Sequence, residues 1–408
     1  MISITNCPEY EIISAEGMIS GRGNATWTYP KKPYKIKFSS KQSPFGFPAN
    51  KDWVLLAEAC DRSLLRTAYM SEVSKALGMV FSIQYQHVDL YLNNEYLGIY
   101  ILTDKVEKGK SRVPIESDGF IIECDYYYKD EPLYFETEEF GLGYSFKYPD
   151  ADDGDIIEGD DNYEYIVTLM NNFEKSLLKL NEDVLNVEYQ NYINLSSFAK
   201  WFLAAELTGN IDCNIFYAIR AKGDMLEMMP MWDAEWSLGL IPKASWPYKA
   251  EKLITRELWK KKKNAYFRIL TKASDFIIEV RKEWENFKTH IPELEKAIIE
   301  VRDEIQYSQK LNFEKWPNLD HQPPNVIFDT WEEEVYYVTD FFNKRISWID
   351  RYIYSTSFGI IYDADVVKIV NVIMDKPSDS IDMNSADTNH DGKVNVADIV
   401  TIINKKKE

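Results

Sequence analysis

Pro230-Met231-Trp232-Asp233-Ala234-Glu235-Trp236-Ser237-Leu238-Gly239 runs from apolar residues into two carboxylates and stops on a glycine. A carboxylate at the end of a buried strand is costly unless a cation or a donor partners it. Asp233 therefore reads as a Mg²⁺ ligand bridging nucleotide phosphates, with Glu235 beside it in the same turn. Capping of a nearby helix is the competing account. Upstream, Asn210-Ile211-Asp212-Cys213-Asn214 separates a helical stretch, Phe198 to Leu207, from a strand, Ile215 to Ile219. An Asp in a tight polar turn can orient a hydroxyl nucleophile and accept its proton late in phosphoryl transfer, and Asn214 can ligate a second Mg²⁺. An Asx-turn joining helix to strand is the alternative there.

Further upstream, Gly21-Arg22-Gly23-Asn24-Ala25-Thr26-Trp27 precedes Tyr29-Pro30-Lys31-Lys32-Pro33-Tyr34-Lys35-Ile36-Lys37-Phe38. Glycines let backbone N–H groups approach an anion, and a strand lysine beyond them can reach its phosphates. A turn followed by a solvated basic strand explains the same residues without a ligand. Tyr34, Ile36 and Phe38 alternate with Lys35 and Lys37, the pattern of a half-buried strand. Val88 to Leu92 and Gly98 to Leu102 flank Asn93-Asn94-Glu95 as a hairpin. Ser63 to Leu77 has helical periodicity behind an Asp61-Arg62-Ser63 start, and Gly119 to Cys124 reads as a further strand. Glycine turn, lysine strand, helix, hairpin, then helix–Asp turn–strand–Asp is the order in which a two-lobed kinase assembles phosphate clamp, base and metal site. Neither H-R-D nor D-F-G is present, so the match lies in the sequence of roles.

At these residues the chain resembles the CotH kinase family, atypical proteins with a protein-kinase-like fold. The resemblance rests on Arg22 to Phe38, Trp53 to Arg66 (W-V-L-L-A-E-A-C-D-R-S-L-L-R), Val88 to Leu102, N-I-D-C-N and M-W-D-A-E-W-S-L-G. It implies transfer of the ATP γ-phosphate, dependent on Mg²⁺ or Mn²⁺, to Ser or Thr of secreted or coat proteins. Carried onto this chain, Asp212 is the catalytic-loop carboxylate and Asp233 the metal-binding one. Lys35, with Lys37 second, meets the phosphates, and Arg22 assists. Glu235 stands where the family often has Asp.

Near the end of the chain, Asp387 to Asp398 (D-T-N-H-D-G-K-V-N-V-A-D) has the spacing of a calcium loop. Ca²⁺ takes six to eight oxygens, and one short turn supplies them here from Asp387, Asn389, Asp391, the Lys393 carbonyl, Asn395 and Asp398. An ordinary Asx-rich turn is the alternative. Gly359 to Asn371 aligns without gaps on Gly392 to Asn404, a duplicated unit whose upstream ligand positions fall on Tyr354, Thr356 and Phe358. That copy reads as a helix kept for packing. A duplicated loop–helix with Asp at the twelfth position resembles the dockerin type I module. The resemblance implies a secreted chain, attached to a scaffold or cell surface through the cohesin module of a scaffoldin or cell-surface protein, in a cellulosome-type setting.

The expected fold is α+β: a two-lobed atypical protein-kinase-like domain over residues 1–352, then a small all-α calcium-binding dockerin-like module over 353–408. Within the first domain, a β-rich lobe to about residue 125 precedes a helical lobe. Phe267 to Arg351 is expected to be largely helical, Met225 to Met231 a short strand, and Asp150 to Asp161 a solvated acidic linker. The 408 residues exceed a single comfortable core. A net charge of −19 argues against nucleic acid as a partner, and no stretch has the apolar length of a membrane span. Cys7, Cys60, Cys124 and Cys213 match no zinc spacing and are expected mainly as thiols. The first residues lack a charged-then-apolar leader, so a trimmed start is expected. An inactive kinase fold serving as a structural or binding component is the alternative function. A glycoside hydrolase lacks an obvious acid and nucleophile.

Overall fold

The computed structural model describes residues 1–5, 12–184, 186–210, 212, 214–240, 250–251, 265–317, 328–355 and 391–405, with 358, 373, 387 and 389, and side chains as far as 401. Strands β1 (Ile2–Ile4) and β2 (Ile13–Ala15) form a small ribbon. The first large sheet holds β3 (Gly17–Gly21), β4 (Tyr34–Gln42), β5 (Asn50–Leu56), β6 (Tyr85–Leu92) and β7 (Glu95–Thr103), ordered β3-β4-β5-β7-β6 and antiparallel throughout. Its tightest connection is the β6–β7 hairpin. Asn93 and Asn94 both have positive φ, 51° and 64°, the requirement of a two-residue turn whose twist matches the strands. Between β5 and β6 lies α1 (Arg66–Ala76). It begins later than the periodicity suggests because Asp61 organises the preceding turn, accepting from the N–H groups of Ser63 and Arg66.

The second sheet comprises β8 (Phe120–Cys124), β9 (Tyr134–Glu136), β10 (Gly143–Tyr148), β11 (Ile215–Ile219) and β12 (Glu227–Met228), ordered β12-β11-β8-β10-β9. Here the expected lobe boundary shifts. β8 pairs with β10 and β11, so the second sheet begins before residue 125. Every residue of β8 and β11 is buried, as a central strand covered on both faces must be. The segment Met225 to Met231 contributes only the two residues of β12.

Helix α2 (Asp161–Glu182) follows the acidic stretch, whose Asp160 caps it by accepting from Asn162 and Tyr163 N–H. After α3 (Leu195–Thr208) and β11–β12 come α4 (Ala265–Leu270), α5 (Ser274–Lys288), α6 (Ile291–Ile305), α7 (Ser308–Lys315) and α8 (Trp331–Tyr352). A reciprocal Thr330–Glu333 capping box starts α8. Aromatic and aliphatic side chains from the second sheet, α1 to α6 and α8 form one large core, and the first sheet has its own smaller core around Trp53 and Tyr100. Arg345 of α8 is fully buried, pairing with Glu206 of α3 at 2.7 Å and donating to the Glu206 and Ala250 carbonyls.

Cys60 and Cys124 are buried, whereas Cys7 and Cys213 lie outside the described residues. Among the described residues no helix is long and apolar enough to cross a membrane. The last described helix is α9 (Val396–Lys405). Most of the upstream repeat, Thr356 and Gly359 to Asn371 included, lies outside the described residues.

Candidate active site

Helix α3 stops at Gly209, whose φ of 60° is the left-handed turn that closes a helix. Asn210 follows and is buried. Its Oδ1 accepts the Asp212 N–H at 3.1 Å, and its Nδ2 donates to the Asp233 carbonyl at 2.7 Å. One amide therefore ties the two acidic turns together. Asn214 forms a bridge with Trp232, and Leu238 N–H donates to the Thr208 carbonyl at 2.6 Å. Asp212 and Asp233 thus lie on adjoining segments. Asp212 and Asn214 are half-buried and Asp233 is exposed. Asp233 has a φ of 62°, uncommon for a residue with a Cβ and concentrated at functional turns. The sequence motif contained Asn210 but gave no sign that its amide would join the turns.

Glu235, half-buried, accepts from the Ala59 N–H at 3.0 Å, which docks the acid turn onto the loop after β5. Burial, then the neighbouring Asp233, raises the Glu235 carboxyl to about 7. Tyr29 holds its proton well above the usual range through burial and Cys60, then through Glu235 and Asp212. Its hydroxyl is therefore within electrostatic reach of both acids. Arg22 places its guanidinium 5.7 Å from the centre of the Trp232 ring, bringing the glycine turn beside Asp233.

Lys35 and Lys37 are exposed. Lys35 sits opposite Val54 across the β4–β5 pair, while Ile36 sits opposite Trp53. The Ile36–Trp53 face packs with Leu240 and Trp236, and Trp236 also packs against the large core that holds Val54. Successive strand residues point to opposite faces, so Lys35 shares the face of Val54, which belongs to the large core that also holds Trp232 and Ala234. A third lysine, Lys31, lies just before β4. It is fully buried, donating to the Ile99 carbonyl at 2.6 Å and to Asn312 Oδ1 at 2.9 Å, with its ammonium 5.0 Å from the Tyr100 ring centre. Burial lowers its pKa to about 7 against the opposing pull of Glu58, Glu235, Asp61 and Asp89. Glu58 is also buried. One oxygen accepts from Thr67, the other has no hydrogen-bond partner, and burial with Glu235 and Asp61 pushes its carboxyl well above the usual range. Asp61 is fully engaged by Ser63 and Arg66.

Among the described residues no three His, Cys, Asp or Glu side chains gather closely enough to hold a metal. Asp233, Asp212 and Asn214 nevertheless offer hard oxygen donors of the kind Mg²⁺ takes, one or two carboxylates with phosphates and water completing the shell. In the tail, Asp387 accepts from the N–H groups of Asp391 and Gly392, and Asp398 accepts from those of Asn389 and Asn395. Asn389, Asp391 and Asn395 accept from the N–H groups of Asp391, Lys393 and Ala397, and the Lys393 carbonyl accepts from Asn395 Nδ2. All six expected ligands belong to one tight turn.

The model of the family described as CotH kinase protein matches residues 19–349. A search of curated proteins finds no match.

Proposed function

The chain belongs to the CotH kinase family, and from that premise we propose that it transfers the γ-phosphate of ATP to Ser or Thr hydroxyls of protein substrates. The reading is carried by the Asn210 amide, which holds the Asp212 and Asp233 turns against each other. Asp212 orients the acceptor hydroxyl and takes its proton as the oxygen bonds to phosphorus and the bond to ADP breaks. Asp233, with Asn214, is the oxygen set for Mg²⁺ or Mn²⁺, which neutralises phosphate charge when bound. Arg22 supplies the cation at the mouth, and Lys31 gives positive potential behind Glu58 and Glu235. In kinases such positioning and charge stabilisation provide most of the rate. Labelled-phosphate transfer tests the proposal. Asp212→Ala and Asp233→Ala should each reduce incorporation by about three orders of magnitude or more. Unchanged incorporation in both variants would overturn it. No transfer and no nucleotide-induced melting shift in the wild type would leave an inactive binding component.

We propose further that the tail binds Ca²⁺ through Asp387, Asn389, Asp391, the Lys393 carbonyl, Asn395 and Asp398, and docks a secreted enzyme onto a cohesin module. What supports this is a donor set of oxygens at the spacing such a loop needs. Calorimetry should find one Ca²⁺ site, lost in Asp391→Ala. Two equal sites would mean that the upstream repeat also binds metal.

A further inference from the structure

Strand β5 stops pairing with β7 at Ile101, and the backbone of Ile99, just before it, is served by side chains instead. Its carbonyl accepts from Lys31 Nζ at 2.6 Å, and its N–H donates to Asn312 Oδ1 at 3.0 Å. The same Asn312 oxygen accepts from Lys31 Nζ at 2.9 Å, so α7, β7 and Lys31 meet at one atom. Gly98 opens the slot: its φ is 102°, and a Cβ there would meet Asn312 Oδ1 at 2.6 Å. Asn312 is fully buried, while its Nδ2 has no hydrogen-bond partner among the described residues. Leaving a buried donor unsatisfied costs about 1–3 kcal/mol, which an apolar side chain would avoid. Packing of α7 therefore does not account for an asparagine at this position. Its oxygen does.

Lys31 passes this anchorage on. It begins the stretch Lys31 to Pro33, which precedes β4 and belongs to no strand. The Tyr100 hydroxyl donates to the Lys32 carbonyl at 2.9 Å. At the far end of the stretch the Pro33 carbonyl accepts the Arg22 N–H at 3.2 Å, and Lys32 Nζ donates to the Trp27 carbonyl. The glycine turn is thereby tied to Lys31 to Pro33. Its Arg22 guanidinium lies over Trp232, the residue before Asp233. A path of direct contacts thus leads from α7 to the acid turn through Asn312, Lys31, Pro33 and Arg22.

Resting on the kinase reading, we propose that Asn312 is a positioning residue for nucleotide binding: through Lys31 it holds the Lys31–Pro33 stretch, and so keeps the Arg22 turn where it meets nucleotide phosphates. The bland account is that Asn312 only fastens α7 to the first sheet. Other residues of the same segment already do that. Trp316 Nε1 donates to the Leu97 carbonyl at 2.9 Å, Lys315 to Glu95 at 2.6 Å and Ser308 to Asp89 at 2.8 Å. Those bonds end on the β6–β7 hairpin. The Asn312 bond to Lys31 continues toward the glycine turn.

Hydrogen exchange without nucleotide, and titration with MgATP, test this on the full chain. Asn312→Leu should speed exchange over residues 21–34 about fivefold and weaken MgATP binding about fivefold. The kcat of phosphate transfer should change less than about twofold, because the Asn210 amide still holds the Asp212 and Asp233 turns. Asn312→Asp keeps the acceptor oxygen and loses only the unpartnered Nδ2, so it should restore both readouts. Trp316→Phe removes a bond of the same segment that lies off the path, and should move neither. Lys31→Met cuts the link from its other end and decides the matter if Asn312→Leu does not fold. Adding Asn312→Leu to Lys31→Met should speed exchange over residues 21–34 no further, the non-additivity of residues acting in series. Unchanged exchange there in Asn312→Leu, or an equal rise in Trp316→Phe, overturns the proposal. So does faster exchange with wild-type MgATP affinity. A wild type that neither binds MgATP nor transfers phosphate overturns the kinase reading and the nucleotide role with it, whereas faster exchange confined to the Asn312 and Lys31 variants then still supports the link from α7 to the Arg22 turn.

Discussion

The sheet of β3 to β7 and the sheet of β8 to β12 have the same number of strands and the same antiparallel pairing, yet they present charge in different states. Loops of the first sheet bury theirs. Asp61 is consumed by Arg66 and Ser63, Glu58 is driven toward its neutral form, and Lys31 is enclosed by Ile99 and Asn312. Turns flanking β11 and β12 leave Asp212 half-buried and Asp233 exposed, pinned by their backbones. Residue type alone does not make a charge available. A buried charge has lost its water and is committed to partners or to neutrality. A side chain that remains wetted, on a backbone held from behind, can still meet a ligand.

The sharpest way to break that contrast is to remove the support behind the acid turns. Arg345 holds Glu206, four residues before Asn210, inside a buried pair. Arg345→Leu removes the guanidinium that pairs with the Glu206 carboxylate at 2.7 Å, and losing one member of such a buried pair typically costs about 3–5 kcal/mol. A fall in melting temperature on the order of 10 °C is expected, with phosphate transfer lost in the fraction that remains folded. A shift of under 2 °C, roughly the effect of an ordinary surface substitution, would mean that α8 does not hold the Asp212 turn in place.

A smaller effect separates two lysines four residues apart. Lys35→Met should change stability by no more than about 0.5 kcal/mol, as exposed substitutions do. Lys31→Met deprives the Ile99 carbonyl and Asn312 Oδ1 of their donor, at a cost of about 1–3 kcal/mol. Its signature is the dependence on pH. Lys31 is lowered from 10.5 to about 7 in the fold. Below about 7 both folded and unfolded chains carry the charge, and the full desolvation penalty is present. Between about 7 and 10.5 the unfolded chain binds the extra proton, so the wild type gains stability as pH rises. The melting-temperature gap between wild type and Lys31→Met should therefore widen from pH 7 to pH 10. A gap that is flat or narrows over that range contradicts a desolvated Lys31 facing Glu58, Glu235, Asp61 and Asp89.

These lysines also show how far the sequence could be read. The alternation of Lys35 and Lys37 with Ile36 and Phe38 located β4 correctly, with both lysines exposed. Lys31 lies between Pro30 and Lys32-Pro33, where no periodicity operates, and its burial depends on β7 and α7, remote in the chain. The β6–β7 hairpin, β11 and the helical run after Phe267 were legible because local pattern determines them. The extent of β12 and the side of the lobe boundary on which β8 falls were not, because pairing across distant segments decides both. Asp212 and Asp233 stood out as polar residues in turns beside apolar strands. The Asn210 amide that joins those turns is a tertiary contact with no local signature.

Arg22 offers the finest test, since it is where the first sheet's glycine turn meets the second sheet's acid turn. Its guanidinium lies over Trp232, and its backbone N–H is separately held by the Pro33 carbonyl at 3.2 Å. Arg22→Ala therefore removes the side-chain contact without releasing the turn. The stacking is worth about 0.5–1 kcal/mol, a loss of roughly 1–3 °C in melting temperature. If the guanidinium also meets phosphate oxygens, nucleotide affinity should fall about tenfold, the value of one charge-assisted hydrogen bond. Arg22→Lys divides the two contributions. Lysine keeps the charge but not the planar face or the forked donors, so it should recover part of the nucleotide binding and little of the stacking. Full recovery of both by lysine would show that Arg22 acts as a point charge. No change in nucleotide affinity in either variant would restrict Arg22 to packing against Trp232 and leave the mouth of the cleft without its cation.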